Sequence, residues 1–126
     1  MRKLLLILLV LLGTGCKKDR IDPREKILGR WEEFYVGNGE HRPPIDPPNA
    51  YREFLPDSVV IDHNYVDNTT LKRKYWIDSQ LHIGIRRSDG YVFSLDYEYR
   101  FDGDTLRLDW VNVNPIFSVV KFRRVN

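Results

Sequence analysis

The sequence predicts an all-β domain, an eight-stranded antiparallel up-and-down barrel with a short helix before it, and a two-sheet β-sandwich is the structural alternative. Three observations carry this reading. Across residues 91–101, Tyr91, Phe93, Leu95, Tyr97, Tyr99 and Phe101 alternate with polar residues that include Ser94, Asp96, Glu98 and Arg100. That period of two belongs to a strand with one buried face. Further apolar runs are separated by tight turns, among them Pro56-Asp57-Ser58, Asp78-Ser79 and Asp102-Gly103-Asp104. Eight strands in meander order favour closure, because a closed sheet has no exposed edges.

Each element has a local cause. Asp22-Pro23-Arg24-Glu25 reads as a helix start: Asp22 caps, Pro23 suits the first helical position, and Glu25 lies three residues after the cap. Gly29 ends this helix after one or two turns, which suits it to plug one end of the barrel. Residues 30–36 form the first strand. Residues 37–50 contain Pro43, Pro44, Pro47 and Pro48 and can be neither strand nor helix. A connection of that length is either a stiff polyproline-like spacer or a lid or contact loop.

Strands 51–55 and 59–62 form a hairpin, as do 69–77 and 80–86. In the second hairpin Leu81, Ile83 and Ile85 share a face, and Trp76 lies opposite Leu71, Tyr75 and Ile77. Arg87-Ser88-Asp89-Gly90 turns into strand 91–101. In strand 105–113, Leu106, Leu108 and Trp110 alternate with Thr105, Arg107 and Asp109. Asn114-Pro115 breaks it, and residues 116–125 form the last strand.

Ahead of this domain, Arg2 and Lys3 precede an unbroken apolar run over residues 4–12. A stable membrane span needs roughly 20 such residues, so the run has the length of a removable signal segment. Gly13-Thr14-Gly15-Cys16 then resembles the lipobox of bacterial lipoproteins, in which the cysteine takes a diacylglycerol and becomes the mature N-terminus. It departs from that pattern at Gly13, where Leu is commonest. The other reading is an ordinary secretory signal with Cys16 as a free thiol. Cys16 is the single cysteine in the chain, and one cysteine cannot close an intramolecular disulfide. The organisation is thus a signal peptide over 1–15, a lipidated Cys16 with a polar tether over 16–24, and a barrel over 25–126. Lys17 occupies the position where Asp would resemble an inner-membrane retention signal, so the resemblance implies the outer membrane, on its periplasmic or its outer face.

Charge reinforces this division. Residues 1–15 hold two of the 20 Lys and Arg and none of the 18 Asp and Glu, leaving 18 of each sign in the mature chain. A nucleic-acid binder carries a clustered basic excess, which a neutral domain of this kind lacks.

Gly29-Arg30-Trp31 at the head of the first strand, after a short helix, resembles the opening of lipocalin-type barrels. Phe54-Leu55-Pro56-Asp57-Ser58 and Tyr99-Arg100-Phe101-Asp102-Gly103-Asp104-Thr105-Leu106 extend the likeness. Together with the lipobox they resemble the lipocalin-like lipoproteins of the Bacteroides group, over about residues 25–125. The resemblance implies that Trp31 closes one barrel end beneath an arginine of the last strand, Arg124 or alternatively Arg123. This chain is shorter than a typical lipocalin and has no helix after its last strand. Eight short strands with aromatic inner faces leave only a narrow lumen, which side chains could fill.

His41, His63 and His82 show no metal-ligand spacing, no Gly-rich phosphate loop or metalloprotease motif is present, and lipidation would leave no cysteine nucleophile. No catalytic residue, cofactor or metal is expected. Asp96 and Glu98 read as solvated. Tyr91, Phe93, Tyr97, Tyr99 and Trp110 are expected to face inward, either as core or, for Tyr97, Tyr99 and Trp110, as the lining of a ligand pocket. Trp76, if exposed, would anchor a partner or a sugar ring. The expected function is therefore a membrane-anchored binder of a small apolar ligand. The competing function is a non-catalytic interaction module, an inhibitor or accessory subunit of an envelope protein, with a filled barrel. Replacing Cys16 with Ser should release the protein from membranes in a fractionation experiment; unchanged retention would contradict lipid anchoring.

Overall fold

The computed structural model describes residues 21–111 and 118–126. Cys16 with its signal and most of its tether, and the Asn114-Pro115 break, lie outside the described residues. One helical turn, α1 (Pro23–Lys26), precedes eight strands: β1 (Gly29–Gly37), β2 (Ala50–Phe54), β3 (Val59–Asn64), β4 (Thr69–Ile77), β5 (Leu81–Arg86), β6 (Val92–Asp102), β7 (Thr105–Trp110) and β8 (Val119–Arg124). Each strand pairs antiparallel with the next, and β1 pairs with β8. That last pairing makes a closed barrel and disposes of the sandwich.

The Asp22 carboxylate accepts from the Arg24 N–H and starts α1 at the expected place. The turn carries Ile27, fully buried, into the barrel end. Trp31, Phe54, Val60, Leu81, Ile83, Leu106 and Leu108 fill the same end with essentially no solvent contact. Burying such side chains stabilises the fold by about 1.5–3 kcal/mol each.

A cap completes this sealed end. The Trp31 Nε1–H donates to the Ile27 carbonyl at 2.8 Å. Arg124, the cross-strand partner of Trp31, lays its guanidinium 4.1 Å over the indole ring. It also donates from Nη1 to the Leu28 carbonyl at 2.8 Å and from Nη2 to that of Lys26. Gly29 has φ 111°, and a Cβ there would stand 3.2 Å from Arg124 Nη1, so glycine meets both the backbone and the space requirement. Arg123, the alternative arginine, points outward over the Phe34 ring.

A bulge between Glu33 and Tyr35 reverses the facing of β1. Tyr35 therefore turns outward, where the proline-rich segment 38–49 folds back over it. Its hydroxyl accepts from the Gly39 N–H and donates to the Glu40 carbonyl, and the Ile45 N–H donates to the Phe34 carbonyl. The segment is a fastened cover on the outer face of β1 and β8.

Some expectations need correction. The long strand starts at Val92, β7 ends at Trp110, and the last strand spans only Val119–Arg124. Tyr91 and Phe93 are exposed rather than buried, and so is Leu71. Phe93 and Leu71 have inward parity. They stand at the barrel end away from α1, beyond the layer of side chains that fills the interior, so facing inward does not bury them.

The cap accounts for a measurable share of stability. Arg124→Met keeps volume but removes the cation and two carbonyl partners, and should cost about 2–3 kcal/mol in denaturant unfolding. Trp31→Ala should cost about 3–5 kcal/mol. A negligible effect of both would show that closure does not depend on this pair.

Candidate functional site

Register places charge inside the barrel. Trp31, Arg52, Asp62 and Leu71 are successive cross-strand partners, so they share the inner face with Trp31. Arg73 joins them opposite Val60, and Glu33 opposite Phe122. A charged layer thus lies directly above the sealed core, facing the open mouth.

Asp62 organises it. Arg52 Nε donates to Asp62 Oδ1 at 2.6 Å and Arg73 Nη1 donates to Oδ2 at 2.9 Å. The Arg52 side chain is only 16% exposed and its guanidinium lies 5.5 Å from the Phe122 ring centre. Burial opposes the Arg52 charge most, but Asp62, with Tyr97 and Glu33, together outweigh it and raise the guanidinium pKa. Burial raises the Glu33 carboxyl above the ordinary carboxylate range, against the pull of Arg52. Burial likewise raises the Tyr97 phenol, again opposed by Arg52. Glu33, Arg52, Asp62, Leu71 and Phe122 line a concavity of about 260 Å³ that opens at the mouth.

The residues named from the sequence fall in different places. Tyr97 is buried and stacks on Trp110, with ring centroids 6.0 Å apart. Tyr99 extends toward the sealed end, where its hydroxyl donates to the Asp78 carbonyl and its ring meets Phe101 edge-on. The structure pairs Tyr97 with Trp110 and sets Tyr99 to a separate task. Trp76 is 48% exposed on the outer surface and stacks on His82 at 5.2 Å.

His82 is itself clamped. Nδ1 contacts Asp96 at 2.6 Å and Nε2 contacts Asp78 at 2.9 Å. The bond to Asp96 raises the imidazole pKa; desolvation opposes it, and the contact with Asp78 adds to the rise. Both ring nitrogens are engaged, so neither is open to a metal. Asp96, expected to be solvated, positions this ring together with Ser94. Among the described residues no group of His, Cys, Asp and Glu is arranged to hold a metal ion.

Sequence reasoning missed Glu33, Arg52, Asp62 and Arg73. A signal existed: counting by two from Phe54 and Val60 places residues 52 and 62 inward. No family model matches the chain, and no curated protein matches it.

The raised Glu33 pKa gives a directional test. A carboxyl with a raised folded-state pKa contributes stability that is fully present below its unfolded value and lost as pH rises through the folded value. Glu33→Gln should therefore stabilise the protein more at about pH 7 than at about pH 4, measured as the change in Tm relative to the parent. A difference that stays constant across that range would contradict the assignment.

Proposed function

We propose that the protein is a non-catalytic, lipocalin-like lipoprotein of the bacterial envelope. Lipid on Cys16 holds it at the outer membrane, and the barrel mouth binds a small amphipathic molecule with an acidic end. The observation that supports this reading most is the convergence of Arg52 and Arg73 on the single Asp62 carboxylate inside the barrel.

Each guanidinium carries five N–H donors, and Asp62 accepts one from each arginine. The spare donors of Arg52 border a partly dehydrated concavity. A wholly apolar ligand seated there would strip water from them without replacing it, at a cost of about 1–3 kcal/mol per buried group. A carboxylate, sulfate or phosphate head would satisfy them with charge-assisted bonds. Leu71 and Phe122 offer apolar surface for the adjoining part of such a molecule. At about 260 Å³ the concavity suits a head group and a short stem, the remainder leaving through the mouth.

The second reading, an interaction module with a filled barrel, draws support from the packed interior at the sealed end and from exposed Trp76.

Calorimetric titration of the Cys16→Ser chain with decanoate and decanol separates acid-headed from simply apolar binding. Decanoate should bind at least about tenfold more tightly. Arg52→Gln removes the guanidinium that borders the concavity while leaving the Arg73–Asp62 pair in place, and should remove most of that preference. Equal affinity for the acid and the alcohol would contradict the proposal.

A further inference from the structure

The barrel is closed, but one of its seams is paired over only part of its length. β4 and β5 are in register solely through Tyr75–Ile83, Trp76–His82 and Ile77–Leu81, next to the hairpin turn. The rest of β4, residues 69–74, pairs with β3 on one side, and among the described residues no strand pairs with it on the other. On the opposite lip, residues 84–86 of β5 pair with β6 alone. The Tyr75 N–H donates to the Ser58 carbonyl on the β3 side. Alternation along the strand therefore turns the backbone N–H and C=O of Thr70 and Lys72 into the open seam.

The side chains at this opening form a pattern. A cleft of about 540 Å³ runs along it, bordered by Leu71, Lys72, Lys74, Ile85, Arg86 and Val92, with Arg73 also on its lining. Among the described residues no carboxylate lines the cleft, and Lys72, Lys74 and Arg86 make no ion pair. Lys72 and Lys74 lie on the outer face of β4, whereas Leu71 lies on the inner face. Large apolar side chains are exposed around the opening: Leu71 and Trp76 on one lip, Tyr91, Val92 and Phe93 on the other. Gly84 adds no side chain at the bottom of the seam, where the Lys74 carbonyl and the Trp76 ring lie 3.5 and 3.8 Å from where its Cβ would be.

We propose that the β4–β5 seam is a strand-addition site for an extended acidic segment of a partner protein, with acidic residues alternating with apolar ones. Unpaired backbone groups on an edge are a template for a further strand. The six residues of β4 left open span roughly 20 Å, the length of an average strand. In an added strand, every second side chain faces outward beside Lys72 and Lys74 and carries the acid. The intervening side chains face inward over Leu71 and Ile85 and are apolar.

Other occupants fit less well. An anionic lipid surface would answer the lysines but supplies no backbone to pair with Thr70 and Lys72. A second copy meeting seam to seam would oppose lysine with lysine. Within this chain, residues 17–20 are Lys-Lys-Asp-Arg and residues 112–117 contain no acid, so neither has the required charge.

The test uses the full chain in a non-ionic detergent with three probes: a fluorescent ten-residue peptide of alternating Glu and Val, its alternating Lys and Val counterpart, and the Glu-Val peptide N-methylated at alternate residues. The Glu-Val peptide should bind by anisotropy, slow amide exchange at Thr70 and Lys72, and weaken about tenfold in the Lys72→Glu/Lys74→Glu double variant. The other two probes should bind far less. These lysines are exposed and outside the core, and an unchanged Tm confirms that the variant folds. Equal binding of the N-methylated peptide, or no slowing of the Thr70 and Lys72 amides at millimolar peptide, overturns strand addition. So does lysine-dependent attachment to phosphatidylglycerol vesicles without peptide binding, which assigns the surface to lipid. Concentration-dependent dimerisation abolished by the double variant assigns it to a second copy and also overturns the proposal.

Discussion

The contact between Arg124 and Trp31 is the constraint on which the rest of the barrel depends. It joins the last strand to the first and the helical turn to both, because one guanidinium covers the indole while donating to the carbonyls of Leu28 and Lys26. The indole in turn donates to Ile27. These polar groups would otherwise be left unpaired at a buried chain reversal, which is costly in an apolar setting. Once they are satisfied, the sealed end accepts a dense aromatic and aliphatic filling, and most of the apolar burial collects there.

That concentration allows the other end to differ. With a packed core below, the barrel tolerates Arg52, Asp62, Arg73 and Glu33 on its inner face and leaves part of the β4–β5 seam unpaired. Neither feature serves stability well. Half-buried ion pairs recover little more than their desolvation cost, and unpaired strand edges invite association. Their position on one half of the molecule is what a binding surface requires: rigid support at one end and unspent polar capacity at the other. The fastened proline-rich segment and the Asp78–His82–Asp96 clamp beneath Trp76 hold neighbouring surfaces rigid.

Most of the architecture is legible in the amino-acid sequence because strand periodicity and turn chemistry are local. The alternation from Leu95 to Phe101, the Asp22-Pro23 helix start and the place of Gly29 before Trp31 each specify their own neighbourhood. The mouth is less legible for physical reasons. Arg52 and Asp62 sit in short strands with apolar or aromatic residues on both faces, so composition alone does not say which face is buried. Phe93 and Leu71 keep inward parity yet stay exposed, since burial depends on how far the filling extends along the barrel. The extent of pairing between β4 and β5 is a property of barrel geometry that neither strand encodes alone. His82 is found between Asp78 and Asp96 because adjacent strands align them, again a non-local outcome.

The molecule is thus divided into a sealed end that carries stability and an open end and seam available for binding. Residue-resolved amide hydrogen exchange on the free full chain tests this division most directly. The slowest exchange should fall at the sealed end, around Trp31, Phe54 and Leu106, with Thr70 and Lys72 exchanging near the rate of unstructured peptide. Uniform protection along β4, with Thr70 and Lys72 as slow as Trp76, would mean that the seam is paired and would contradict the division.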